Sequence, residues 1–212
     1  MFQKATFITA STLAVCTAAN ADIVYSGPLF DGVSDVDGGQ SLTIEIAGLN
    51  YEFGILVGGP LDYSYVTTTS EGAGLFVPLT ETDEARNFSA GDNIGTFTAV
   101  LNMFPLGGGG ENINLVMHDY SGTGSLPGEF SANGTGYVGF GFGSGVNFNY
   151  GWMEFVSFEE EFEGGLQSYV NITGWAYNDE VNGSITVGQI PAPGALGLLA
   201  IGGLAGRRRR QD

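Results

Sequence analysis

Positive charge is what this sequence almost lacks. Its 212 residues hold six lysines and arginines against 23 aspartates and glutamates. Four of the six are the run Arg207, Arg208, Arg209 and Arg210, and Lys4 lies near the start. Arg86 is therefore the single cation between residues 22 and 190, a stretch with 22 acids and a formal charge of −21. Recognition of nucleic acid or of an anionic lipid surface needs clustered lysine and arginine, so the composition excludes both for this stretch. Extended ion-pair networks are out of reach as well. A medium rich in screening salt or divalent cations suits such a surface.

Cysteine and histidine are scarcer still, with one of each, Cys16 and His118. Cys16 falls in an N-terminal segment that reads as a removable leader. Without it the chain has no thiol for a disulfide, a thiolate nucleophile or a cysteine-ligated zinc. One histidine cannot supply a zinc site. As the only imidazole base for a Ser-His-Asp arrangement, His118 stands next to Asp119 at the end of an apolar run and reads as an exposed loop pair. No G-x-S-x-G nucleophile elbow occurs. Gly134-Thr135-Gly136-Tyr137-Val138-Gly139 matches G-x-G-x-x-G, but it leads into an aromatic strand instead of opening a helix, so it holds no pyrophosphate.

Helical periodicity is the next absence, since no window sustains a 3.6-residue apolar repeat over three turns. Alternation with period two recurs instead. It runs through Leu42, Ile44 and Ile46, through Thr96–Leu101, and through Ile113–Met117. In Tyr137–Gly143 the bulky Val138, Phe140 and Phe142 share one face, with glycines on most of the other. That pattern fits close packing of a second layer or aromatic stacking across the glycine face. Tyr150, Trp152, Glu154, Val156 and Phe158 then form a face opposite Gly151, Met153, Phe155 and Ser157. The 36 glycines and 7 prolines, with Asp37-Gly38-Gly39, Asn133-Gly134 and Asn182-Gly183 as turn signals, punctuate these runs. The expected fold is all-β, an antiparallel sandwich or jelly-roll-like body at 22–189.

Long hydrophobic runs are missing too, and the two nearest approaches lie at the ends. Ala5–Ala19 follows Lys4 and ends in Ala19-Asn20-Ala21, the small-x-small pattern cut by signal peptidase. Residues 1–21 therefore read as a secretory signal peptide. At the other end, Gly194–Gly206 is an uncharged segment about 20 Å long as a helix, short of a ~30 Å hydrocarbon core. The four arginines behind it resist translocation, so 190–212 reads as a short hydrophobic helix held at the inner membrane while the body lies outside.

Pro191-Ala192-Pro193, the apolar segment and the terminal arginines together resemble the PEP-CTERM sorting signal of Gram-negative bacteria, whose motif is Pro-Glu-Pro. Alanine stands here in place of the glutamate. The resemblance implies an exosortase-type transpeptidase that cuts near the motif and a surface role linked to exopolysaccharide and biofilm. A second, weaker resemblance is carried by Tyr137-Val138-Gly139-Phe140, Asn149-Tyr150-Gly151-Trp152-Met153, Gly174-Trp175-Ala176-Tyr177-Asn178 and Ile185-Thr186-Val187-Gly188. These look like the body often found in front of that tail, and they imply location and fold but no activity.

The leading expectation is thus an exported, non-enzymatic cell-surface or matrix protein with no required cofactor. The alternative is a carbohydrate-binding module in which Tyr150, Trp152, Trp175 and Tyr177 stack on sugar rings. Asp31, Asp35 and Asp37 would hold calcium nearby, or else form a solvated acidic turn. A third reading is a carboxylate-only glycoside hydrolase, which needs two carboxylates opposed across a cleft. Glu159-Glu160-Glu161-Phe162-Glu163 cannot provide that by itself, because adjacent strand residues point to opposite faces, and it reads as a solvated hairpin end.

Overall fold

The computed structural model describes residues 23–29, 31–34, 39–58, 61–68, 70–77, 84–96, 98, 103–104, 113–119, 129–131, 133–162 and 165–190. These form fourteen strands: β1 Ile23–Tyr25, β2 Asp31–Ser34, β3 Ser41–Ile46, β4 Leu49–Gly58, β5 Leu61–Thr68, β6 Ala73–Phe76, β7 Asn87–Phe88, β8 Asn93–Ile94, β9 Met103–Phe104, β10 Ile113–Asp119, β11 Gly134–Ser144, β12 Asn147–Phe162, β13 Gly165–Asn178 and β14 Ile185–Thr186. The larger sheet runs β1-β13-β12-β11-β6-β9, with β2 also on β13 and β7 also on β11. A four-stranded sheet runs β10-β5-β4-β3, and β14 pairs with β8 alone. Among the described residues every ladder is antiparallel, and the one parallel contact is an isolated bridge between Glu84 and Asn114.

The two main sheets close face to face over one core. Tyr51, Phe53, Ile55 and Val66 of the smaller sheet meet Val138, Phe140, Met153, Phe155, Val170 and Ile172 of the larger. Ring contacts tie the layers, Tyr51 to Phe140 at 5.4 Å between centroids and Phe53 to Phe155 at 5.7 Å. The all-β sandwich expected from the period-two runs is the observed architecture.

A second core occupies the other face of the larger sheet. There Phe76, Phe88, Ile94, Tyr150, Trp152, Ala176, Ile185 and Val187 cluster, covered by the separate β8–β14 pair. The middles of β11 and β12, Val138–Gly141 and Tyr150–Met153, are therefore buried on both faces, and there the two strands carry only apolar residues and glycine. Register supplies the rest. Phe140 lies opposite Gly151, Gly139 opposite Trp152, and Gly141 opposite Tyr150; Trp152 also faces Ala176 on β13. Each large ring has a neighbour with little or no side chain, and the close-packing reading of the glycine face holds. A Cβ on Gly139 would sit 2.9 Å from both Phe76 and Phe88 and 3.0 Å from Ile94.

Thr96–Leu101 is a correction. Thr96 and Thr98 lie in a helical turn and not in a strand. Their hydroxyls donate to backbone carbonyls, Thr98 to Asn93 at 3.2 Å, a local alternative to ladder bonding, and Thr96 to the distant Asn182 at 3.5 Å. Residues 97 and 99–101 lie outside the described residues.

Candidate functional site

Turn geometry decides which side chains meet on the larger sheet. The β11–β12 hairpin closes through Gly145 (φ +63°) and Val146, and every cross-strand pair is equidistant from that turn. The pairing sets Tyr137 against Glu154. A bulge in β13 at Thr173, between the Glu154–Gly174 and Phe155–Ile172 pairs, turns a hydroxyl toward the same carboxylate. Tyr137 Oη donates to Glu154 Oε1 at 2.7 Å, and Thr173 Oγ1 donates to Oε2 at 2.5 Å. The bulge is fastened from β1's side, where Ser26 N donates to Trp175 O at 3.0 Å and Leu29 N to Thr173 O at 2.8 Å. Trp152, beside this carboxylate on the same face, packs edge-on to Tyr137 at 5.7 Å and lies 6.2 Å from the Tyr25 ring. Its indole nitrogen is buried and makes no hydrogen bond.

The group is one carboxylate held by two neutral hydroxyls. Glu154's registered neighbours across the sheet are Tyr137 and Gly174, neither of them acidic. Glu159, Glu160 and Glu161 begin five residues further along β12, about 17 Å away. Glu160 and Glu161 are exposed, as a hairpin end requires. Glu159 receives the Asn133 side-chain amide at 3.4 Å and donates its backbone N–H to that amide's oxygen at 3.0 Å.

A similar phenol-to-carboxylate contact lies on the outer face of the smaller sheet, where Tyr65 donates to Glu52 at 2.8 Å. Burial raises both phenols, and the accepted hydrogen bond and negative charge of the partner carboxylate raise them further. Tyr65 and Tyr137 are each pushed up to about 12. Tyr51, in the main core with an unpartnered hydroxyl, is raised by burial alone. These protons stay on in the folded chain above the pH, about 10, at which an unfolded tyrosine loses its own. Their contribution is fully present below pH 10 and is lost as pH rises toward 12. Stability should therefore fall steeply over that window in urea titrations. Tyr51→Phe, which removes one raised phenol and no hydrogen bond, should be as stable as the parent at pH 7 and lose less at pH 11.

The residues chosen from sequence for sugar stacking separate into two environments. Tyr150 and Trp152 are 1% and 2% exposed and belong to the second core, so neither offers a ring face to a ligand in this structure. That corrects the expectation for those two, and the reason is the β8–β14 pair lying over a face that alternation alone leaves open. Trp175 and Tyr177 are half-buried on the opposite face, next to Phe142. Their rings lie nearly parallel, 17° apart with centroids at 6.1 Å, and Phe142 meets Tyr177 edge-on at 5.1 Å.

Asp31 is exposed at the start of β2, while Asp35 and Asp37 lie outside the described residues. Among the described residues no group of three metal-ligating side chains forms. His118 and Asp119 are not in a loop but end β10, in register with Asp62 and Leu61 of β5. The G-x-G-x-x-G match lies within β11. Ala19, Ala21, Pro191, Ala192, Pro193 and Arg207 to Arg210 lie outside the described residues, and among the described residues no helix is long and apolar enough to cross a membrane.

The Glu154 cluster was missed by motif reading because its three members are far apart in sequence. The signal was present in the Gly145-Val146 turn, which pairs Tyr137 with Glu154 once it is recognised. Comparison of the chain with protein families, with characterised proteins and with solved structures finds no match.

Proposed function

We propose that this chain is an exported, non-enzymatic surface or matrix protein whose jelly-roll-like β-body is displayed outside the cell. In this reading residues 1–21 are a signal peptide and 190–212 a PEP-CTERM-like sorting tail. The observation that carries it is where the described strands and cores begin and end. β1 begins at Ile23, two residues after the small-x-small site, and among the described residues the last buried core side chain is Val187, with Ile190 56% exposed. Cuts after Ala21 and near Pro191 would remove nothing that the two described cores use. The nearly cation-free acidic body supports the reading, because it neither retains the chain on anionic lipid nor competes with the arginine cluster for the inner side of the membrane. Export machinery, signal peptidase, the inner membrane and an exosortase-type transpeptidase are the partners it implies.

Intact-mass analysis of the native protein from cell-surface and culture fractions tests it. The expected species starts at Asp22 and ends near Pro193. A chain recovered with residues 1–21 and 194–212 both present overturns the reading.

A second reading rests on the near-parallel Trp175 and Tyr177 rings, half-buried with Phe142 beside them. Such a row can stack on the C–H faces of a polysaccharide. A glycan array run with and without chelator, comparing the parent with Trp175→Ala, separates the two. Silence of the parent on all glycans ends the binding reading, and a signal that vanishes with chelator brings in calcium at Asp31, Asp35 and Asp37.

A further inference from the structure

The outer edge of β3 is built for pairing. Gln40 accepts a hydrogen bond from Ile55 N at 2.9 Å, and in an antiparallel ladder bonded pairs alternate with non-bonded ones. Leu42, Ile44 and Ile46 therefore bond to Phe53, Tyr51 and Leu49 of β4, and the two-residue Ala47–Gly48 turn, with φ of +53° and +79°, closes the hairpin in the same phase. The backbone N–H and C=O groups of Ser41, Thr43 and Glu45 consequently point away from β4. Among the described residues no strand pairs with them, since β3 ends the β10-β5-β4-β3 order and β2, its neighbour in the other sheet, pairs with β13.

The other edges among the described strands are short or partly covered. β1, β2 and β9 have three, four and two residues, and on β10 Asn114 O accepts from Ala85 N at 2.7 Å. β3 offers six residues in continuous register with no lysine, proline or bulge, the usual devices that blunt an edge.

We propose that β3 pairs antiparallel with β3 of a second copy of this chain about a two-fold axis at Thr43, joining two four-stranded sheets into one of eight. This register lets Ser41, Thr43 and Glu45 each donate and accept one backbone bond. Thr43 faces its twin, a favourable cross-strand pair, and Ser41 faces Glu45. The two Glu45 carboxylates then stand about 14 Å apart, beyond the ~8 Å screening length at physiological salt, whereas a parallel pairing in register would set them side by side. Leu42 and Ile44, half-buried against the core, meet across the same seam and lose their remaining exposure. Because each body carries −21, association strengthens as salt rises. A cationic partner on this edge would show the opposite dependence.

Sedimentation equilibrium of the full-length chain in mild non-ionic detergent, at 0.15 M and 1 M NaCl, tests the pairing. The parent is expected to be a dimer, more complete at high salt. Thr43→Pro removes the central outward donor and no bond to β4, and edge positions tolerate proline. That variant is expected to be monomeric with an unchanged circular dichroism spectrum. Association driven by the apolar ends would persist in it and would overturn the proposal, as would a monomeric parent. Should Thr43→Pro fail to fold, the double variant Cys16→Ser/Thr43→Cys decides. Oxidation should link it through position 43 in good yield while Cys16→Ser/Val146→Cys stays unlinked, and failure of the position-43 link overturns the pairing.

Discussion

Gly151→Ala lowers the folding free energy by about 3 kcal/mol, the upper part of the range for overpacking a filled core. The new Cβ would lie 2.3 Å from the Phe140 ring and 2.6 Å from the Ala176 carbonyl oxygen. The carbonyl belongs to the central ladder and cannot move alone. Phe140 is fully buried, with Tyr51 on one side and Phe142, at 6.2 Å, on the other. Urea denaturation should show a lower midpoint with an unchanged slope. Gly134→Ala is the control, because its Cβ would meet Ser131 at an ordinary 3.5 Å. Adding Phe140→Leu to Gly151→Ala makes room for the methyl group, so the double variant should be more stable than the sum of the single effects, by roughly 1 kcal/mol. A loss below about 0.5 kcal/mol in Gly151→Ala would mean that the sandwich is not closed over this pair as described.

Trp152→Ala removes the largest side chain of the second core and should cost about 3–5 kcal/mol, lowering the melting temperature by roughly 10 °C in a body of this size. Tyr25 and Tyr137 lose the ring they pack on. Trp152→Phe should cost far less, because the indole nitrogen has no partner to lose. Calorimetry of the two variants separates volume from hydrogen bonding. If Trp152→Ala costs less than about 1 kcal/mol, the β8–β14 pair is a loose cover and the sheet is effectively buried on one face only.

Strand content was legible because alternation is local. Leu42–Ile46, Ile113–Met117, Tyr137–Gly143 and Tyr150–Phe158 each lie inside an observed strand. Thr96–Leu101 shows the limit of the same signal. A β-branched, apolar run reads as extended until nearby carbonyls, here those of Asn93 and Asn182, offer its hydroxyls a closer partner. The candidate site was half legible for a related reason. Period two places Trp152 and Glu154 on one face and Trp175 and Tyr177 on one face, but it does not state which face receives a covering layer.

Charge and alternation along the chain decided that this is an acidic, nearly cation-free, all-β body between two short apolar ends, because both are sums over residues and need no partner. Tertiary structure alone decided that Trp152 is core while Trp175 is half-buried, that Glu154 receives two hydroxyls, and that no described strand pairs with the outer edge of β3. Those outcomes depend on register and on what lies across a sheet, where residues more than a hundred positions apart, such as Ser26 and Trp175, set one another's surroundings.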